Sequence, residues 1–145
     1  MNKLELVEKN YLDGLNCCQS VIAIFSEEYG LPIEYGLKMA SGFGGGLKRG
    51  EACGVVTGAI MALGLKYGNI DPLDNESKDK ITDYTKKFQK RFIDEFGSVR
   101  CKDLLGYDVS IEEESRYAKE NNISKQICPK YVVGAVKIIE EIMKD

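Results

Sequence analysis

The sequence predicts an all-α protein, a compact bundle of about seven or eight helices with one glycine-rich loop, folded as a single domain over residues 1–145. Two observations predict this class. Apolar residues recur three and four positions apart along most of the chain, which is the period of an amphipathic helix. Glycine closes most of these stretches, as it commonly does at helix C-termini, and no convincing strand pattern of alternating apolar and polar residues interrupts them.

The first two helices have the clearest boundaries. Apolar positions from Leu4 to Leu12, Tyr11 among them, form the stripe of the first helix, and Gly14 follows it as a C-terminal stop. Asn16 is a good N-cap for the second helix, because Gln19 stands three residues later and completes a capping box. We expect this second helix to end at Gly30.

The glycine-rich loop separates a short third helix from a fourth. Pro32 opens the third helix, which we expect to reach about residue 41. The fourth helix is expected from about residue 51 to Tyr67. Small residues recur every four positions along it, namely Gly54, Gly58 and Ala62. One face of this helix should therefore let another backbone approach closely, and such a face would also permit a homodimer.

Four more helices are expected in the rest of the chain. Their approximate ranges are 76–96, 98–105, 111–121 and 129–143. The first of these carries an aromatic stripe and the last an aliphatic stripe, both at helical spacing, so we expect both to supply core residues. Glu112, Glu113 and Glu114 would point in different directions on a helix, which favours a solvated first turn over a metal site.

Composition argues against several classes of function. With 20 Lys and Arg against 23 Asp and Glu, the net charge is −3, so neither nucleic acid nor an anionic membrane is an expected partner. The longest weakly charged stretch, 52–65, is too short to span a bilayer, and no signal-peptide core opens the sequence, so we expect no membrane insertion and a cytoplasmic location. The absence of histidine removes Ser–His and Cys–His nucleophile pairs, HExxH zinc sites and His-ligated haem.

Cysteine is the residue type left for covalent or soft-metal chemistry. Four of the five cysteines fall at predicted helix starts: Cys17, Cys53, Cys101 and Cys128. A helix N-terminus carries about half a positive charge and free N–H groups, so it lowers the pKa of a thiol and makes it a better nucleophile and metal ligand. Basic residues near Cys53 and Cys101 would act in the same direction. Cys18 lies on the apolar stripe of the second helix and is expected to be a buried filler.

Five segments carry a family resemblance, and they run in order through nearly the whole chain. They are Gly-Leu-Asn-Cys-Cys from residue 14, Gly-Phe-Gly-Gly-Gly from residue 42, Ala-Cys-Gly-Val-Val-Thr-Gly from residue 52, Gly-Ser-Val-Arg-Cys from residue 97, and Cys128. With these segments the sequence resembles the redox-active C_GCAxxG_C_C family of small bacterial and archaeal proteins, which carries a CGAxxG motif. The resemblance implies redox activity, without a defined substrate, and four recurrent cysteines that correspond to Cys17, Cys53, Cys101 and Cys128.

One position departs from the family motif. Val55 stands where the motif has alanine, and its two additional methyl groups would loosen a close helix contact without touching a thiol. A related cysteine-bearing module occurs in larger cytochrome-type electron carriers. By analogy alone, it suggests that the cysteines of this protein could hold an iron–sulfur cluster.

Two interpretations of the glycine-rich loop at 42–46 stay open. The loop lacks the Gly-Lys-Ser/Thr of a P-loop and the final glycine of a dinucleotide fingerprint. It is either an anion nest of backbone N–H groups or, as we favour, a segment whose glycines let it approach the cysteines closely. On these grounds the candidate cofactor-binding residues are Gly44, Gly45, Gly46 and Gly54.

The leading functional hypothesis is thiol–disulfide redox chemistry by four cysteines that converge in space. Cys53, beside the glycine loop, is the predicted attacking thiol, and a redox partner protein or a small thiol or electron donor is the expected partner. Alternatively, the same four cysteines bind an iron–sulfur cluster or zinc, for electron transfer or for structure. A third hypothesis is a non-catalytic helical interaction protein. The sequence does not decide among these three hypotheses. It therefore does not decide whether the protein binds a cofactor.

Overall fold

The computed structural model describes residues 1–144. Over this range the backbone forms helices and turns, and no strand is present apart from an isolated antiparallel bridge between Ala52 and Arg100. The predicted all-α class is confirmed. In the same range, no helix is both long enough and apolar enough to cross a membrane.

The α-helices are numbered in chain order. They are α1 (Lys3–Leu12), α2 (Cys17–Phe25), α3 (Ile33–Ala40), α4 (Gly54–Tyr67), α5 (Asn75–Phe96), α6 (Cys101–Leu105), α7 (Glu112–Glu120), α8 (Ile123–Ile127) and α9 (Pro129–Met143). The short helix α8 is absent from the sequence-based prediction. It begins after Asn122, which has a left-handed conformation and makes no capping hydrogen bond, so neither a cap nor an apolar stripe marks its start.

The start of α2 agrees with the sequence prediction in detail. The Asn16 side chain accepts a hydrogen bond from the Gln19 N–H at 2.8 Å, and the Gln19 side chain accepts one from the Asn16 N–H at 3.0 Å. This capping box is confirmed. It fixes Cys17 as the first residue of a well-defined helix.

Helices α2 and α4 pack with their backbones close together. A Cβ at Gly58 would lie 2.9 Å from the Cys18 carbonyl oxygen, and one at Gly54 would lie 2.9 Å from the Cys17 Cβ. The predicted close approach on this face is therefore confirmed, and the backbone that approaches is that of α2. Because α2 covers the small residues of α4 within the chain, this face does not offer the homodimer surface that its pattern suggested.

The aromatic stripe of α5 and the aliphatic stripe of α9 meet in the core, as predicted. Phe88 and Phe92 are fully buried on α5, and Val132, Val136 and Ile139 are fully buried on α9. Helix α9 also packs on α1, and Tyr11 near the end of α1 is a neighbour of Cys128 at the start of α9. That junction is part of the site described below.

The predicted starts of the fourth and sixth helices are each three residues too early. Helix α4 begins at Gly54 and α6 at Cys101. The residues before these helices are extended instead, because residues 51–53 pair with residues 99–101 through backbone hydrogen bonds. This pairing joins segments that are distant in sequence.

Candidate functional site

All four predicted site cysteines lie at helix starts, as the sequence indicated. Cys17 and Cys101 are the first residues of α2 and α6, while Cys53 and Cys128 are the N-cap residues of α4 and α9. Cys18 is fully buried, with its sulfur 3.9 Å from that of Met61, so its predicted role as an apolar filler is confirmed.

Backbone pairing brings the Cys53 and Cys101 segments together. The Cys53 N–H donates to the Val99 carbonyl at 2.8 Å, and the Cys101 N–H donates to the Glu51 carbonyl at 2.6 Å. The Cys53 thiol is near enough to Cys101 and Cys128 for their charges to raise its pKa.

An open cavity of about 470 Å³ lies beside these segments. Cys17, Cys101 and Cys128 contribute to its lining, whereas Cys53 is outside it. Cys53 is only 6% exposed. A small molecule in the cavity would therefore meet three of the four thiols.

Cys128 is the cysteine with a lowered pKa. The neighbouring Cys17 thiol, which favours the thiolate form, is the main reason for the lowered pKa of Cys128. The Tyr11 hydroxyl and the positive charge of Lys130 stabilise the thiolate further, and together these effects outweigh the burial of Cys128. The packing of α1 on α9 supplies the Tyr11 hydroxyl.

The other three site thiols have raised pKa values. The pKa of Cys17 lies well above its ordinary value, because of the neighbouring Cys128 sulfur, of burial and of the charges of the other cysteines. Burial raises the pKa of Cys53 to about 12, although the backbone N–H groups of Val55 and Val56 act in the opposite direction. Burial, with the charges of Cys128 and Asp108, raises the pKa of Cys101 to about 11.

The prediction that a helix start lowers the pKa is therefore wrong for Cys17, Cys53 and Cys101. Loss of hydration disfavours a buried thiolate by more than a partial helix charge favours it. The cations beside Cys101 do not help, because the Arg100 and Lys102 side chains bind Glu51 at 3.2 and 3.5 Å. The prediction that Cys53 is the attacking thiol does not fit its burial and raised pKa either.

We expect Tyr11→Phe to move the pH dependence of Cys128 reactivity upward. Below its pKa Cys128 is a protonated, unreactive thiol, and its reaction rate rises with pH until the thiolate is fully formed. Removing one hydrogen bond to a charged group costs about 1.5 kcal/mol, which should shift the midpoint of the pH–rate profile upward by about one pH unit. Stopped-flow reaction with a neutral disulfide measures this profile.

The control for this prediction is Tyr35→Phe. Tyr35 lies on α3 and is 58% exposed, so its hydroxyl can be removed without affecting the site. Coincident midpoints for Tyr11→Phe and the wild type would contradict the assigned hydrogen bond.

The glycine-rich loop forms a left-handed turn against the site. Gly45, Gly46, Leu47 and Lys48 have consecutive positive φ angles of +66°, +60°, +62° and +62°. A Cβ at Gly46 would lie 2.6 Å from the Cys101 Cβ, and one at Gly44 would lie 2.7 Å from the Asn16 Cβ. The loop thus contacts the cysteine-bearing segments at glycines, Gly44 and Gly46, which have no side chain. A role of Gly44, Gly45, Gly46 and Gly54 toward a cofactor stays a prediction.

The thiols do not form a ready set of ligands for one metal ion. Within residues 1–144, no group of three or more Cys, Asp or Glu side chains has the arrangement that would hold one. A zinc site needs about four donors at tetrahedral positions. Metal binding by Cys17, Cys53, Cys101 and Cys128 stays a prediction.

Sequence reasoning missed Tyr11 as a functional residue. It was assigned to the apolar stripe of the first helix, and its side chain is indeed 7% exposed. No local motif connects it to Cys128, and only the packing of α1 on α9 brings the two together. Burial raises the pKa of Tyr11, so its hydroxyl keeps its proton and remains a donor.

One family profile matches residues 15–142, and it is described as "Putative redox-active protein (C_GCAxxG_C_C)". The matched range contains all four site cysteines. The chain belongs to the C_GCAxxG_C_C family. Neither the curated proteins nor the solved structures contain a significant match to it.

The departure from the C_GCAxxG_C_C motif at Val55 does not open the helix contact. Val55 is fully buried in the core, while the glycines at positions 54 and 58 keep their close approach to α2. The close contact with α2 is thus kept with valine at position 55, and the expected loosening is not seen.

Proposed function

We propose that this member of the C_GCAxxG_C_C family is a thiol–disulfide redox protein in which Cys128 attacks and Cys17 resolves. The observation that carries the proposal is that Cys17 and Cys128 both lie on the wall of an open cavity, where the neighbouring Cys17 thiol favours the Cys128 thiolate. This arrangement makes Cys128 the site cysteine best able to exist as a thiolate and places the second thiol of a pair beside it.

In the first step, the Cys128 thiolate attacks one sulfur of a substrate disulfide. A bond forms between that sulfur and Cys128, and the substrate S–S bond breaks. The departing thiolate takes a proton from water. The product is a mixed disulfide on Cys128.

In the second step, Cys17 attacks the Cys128 sulfur of the mixed disulfide. Consuming the Cys128 thiolate removes the main cause of the raised pKa of Cys17, so Cys17 can now lose its proton. The Cys17–Cys128 disulfide forms and the second substrate thiol leaves. The substrate has gained two electrons and the cysteine pair has lost two. A dithiol reductant, which is itself oxidised to a disulfide, restores the two thiols.

Cys53 and Cys101 form a second pair in this proposal. Their segments are tied together by backbone hydrogen bonds, and their raised pKa values suit slower, resolving thiols rather than attacking ones. Of these two residues, Cys101 borders the cavity and Cys53 does not.

The deciding experiment is an ultraviolet–visible spectrum with metal analysis and thiol counting on anaerobically purified protein. We expect reactive thiols to disappear two at a time on mild oxidation and to return with a dithiol. Visible absorption with stoichiometric iron would overturn the proposal in favour of a cluster-binding protein. If no oxidant converts the thiols into disulfides, the proposal is overturned in favour of a helical interaction protein.

A further inference from the structure

The cavity beside Cys128 is lined by cations and by no carboxylate. Three lysines belong to its lining, namely Lys48, Lys119 and Lys125. Apolar side chains that include Leu15, Leu105 and Val109 form much of the remaining wall. Its volume of about 470 Å³ lies within the range of small-molecule pockets.

No carboxylate neutralises these lysines within residues 1–144. Lys48 and Lys119 take part in none of the ion pairs of this range, and the Lys125 ammonium donates to the Leu12 carbonyl at 3.4 Å. Asp108 lies near Cys101, but it accepts hydrogen bonds from the Ser110 N–H and hydroxyl and does not line the cavity. The cavity therefore presents an excess of positive charge to whatever enters it.

The backbone holds one of the lysines at this wall in an unfavourable conformation. Lys48 has a φ of +62° and follows Leu47, which also has a φ of +62°. Residues with a side chain rarely adopt this region, and such strain tends to be retained at functional sites. The left-handed turn fixes the position of the Lys48 backbone at the cavity wall.

We propose that the cavity selects small disulfides that bear carboxylates. Their S–S bond lies at Cys128, and their negative charges lie at Lys48, Lys119 and Lys125. This inference rests on the proposed function, because it names the substrate class of the same thiols. The overall reaction converts one anionic disulfide and the Cys17 and Cys128 thiols into two anionic thiols and the Cys17–Cys128 disulfide.

The test compares two aromatic disulfides that differ in charge. One is 5,5′-dithiobis(2-nitrobenzoate), a dianion, and the other is 2,2′-dipyridyl disulfide, which is neutral. The ratio of their second-order rate constants, divided by the same ratio for 2-mercaptoethanol, removes the difference in intrinsic reactivity. We expect the wild-type ratio to exceed that of 2-mercaptoethanol by about tenfold and to fall as salt is added.

Charge removal identifies the source of this preference. The combined variant Lys48→Gln, Lys119→Gln, Lys125→Gln should lose most of the preference while keeping its rate with the neutral disulfide. Each of these lysines is exposed, so the variant is expected to fold, and circular dichroism checks that it does. Lys86→Gln, an exposed charge change on α5 away from the cavity, is the matched control and should keep the preference.

The outcomes separate this inference from the proposed function. If the protein reacts with both disulfides and its ratio equals that of 2-mercaptoethanol, selection of anions is overturned and the thiol function stands. The same conclusion follows if the triple variant keeps the wild-type ratio. If the protein reacts with neither disulfide, the proposed function fails, and this inference fails with it.

Discussion

Replacing Cys128 with serine is expected to slow the reaction of the protein with a neutral disulfide by about tenfold or more. A hydroxyl does not replace a thiolate as the nucleophile. Attack would pass to a thiol such as Cys101, whose pKa is raised to about 11 while that of Cys128 is lowered. Each unit by which the pKa of a thiol is raised reduces the thiolate fraction about tenfold and restores only about threefold in intrinsic nucleophilicity.

Two further variants sharpen this result. Cys17→Ser keeps a hydroxyl that can donate to Cys128 but cannot resolve the mixed disulfide, so we expect attack to proceed and the adduct to accumulate, as measured by mass spectrometry. Cys18→Ala, which changes a fully buried thiol outside the site, should keep the wild-type rate and serves as the control. The assignment of Cys128 as the attacking thiol would be contradicted if Cys128→Ser reacted at the wild-type rate and Cys53→Ser did not react.

Gly46→Ala is expected to lower the free energy of unfolding by about 3 kcal/mol. Two costs add. The positive φ of +60° at this position is unfavourable for alanine by about 1 kcal/mol or more. The new Cβ would also lie 2.6 Å from the Cys101 Cβ and from the Glu51 nitrogen, and such overpacking costs about 1–3 kcal/mol. Denaturant unfolding under reducing conditions measures the change.

Gly42→Ala provides a matched control in the same loop. Gly42 has an ordinary φ, and a Cβ there would meet nothing within 4 Å. Its substitution should change the free energy of unfolding by less than about 1 kcal/mol. Equal stabilities of the two variants would show that the loop does not press against Cys101 as described.

Several elements of the fold could be predicted because their signals are local. The capping box of α2 involves two side chains three positions apart, so the sequence contains everything needed to place Cys17 at a helix start. Pro129 likewise fixes the start of α9 and makes Cys128 its N-cap. The starts of α4 and α6 were misplaced because the competing interaction, the pairing of residues 51–53 with 99–101, joins segments nearly fifty positions apart.

The features of the candidate site also divide into those set by local sequence and those set by tertiary contacts. The sequence by itself determined which side chains are proposed to carry the chemistry, since histidine is absent and four cysteines stand at helix starts. Capping and helix period act over a few residues, so these positions could be predicted. Only the tertiary structure decided which thiol we propose as the attacking nucleophile. The packing of α1 and α2 on α9 places Tyr11 and Cys17 at Cys128, and burial raises the pKa of the other thiols. A pKa depends on hydration and on neighbours in space, and both are set by contacts between residues distant in the sequence.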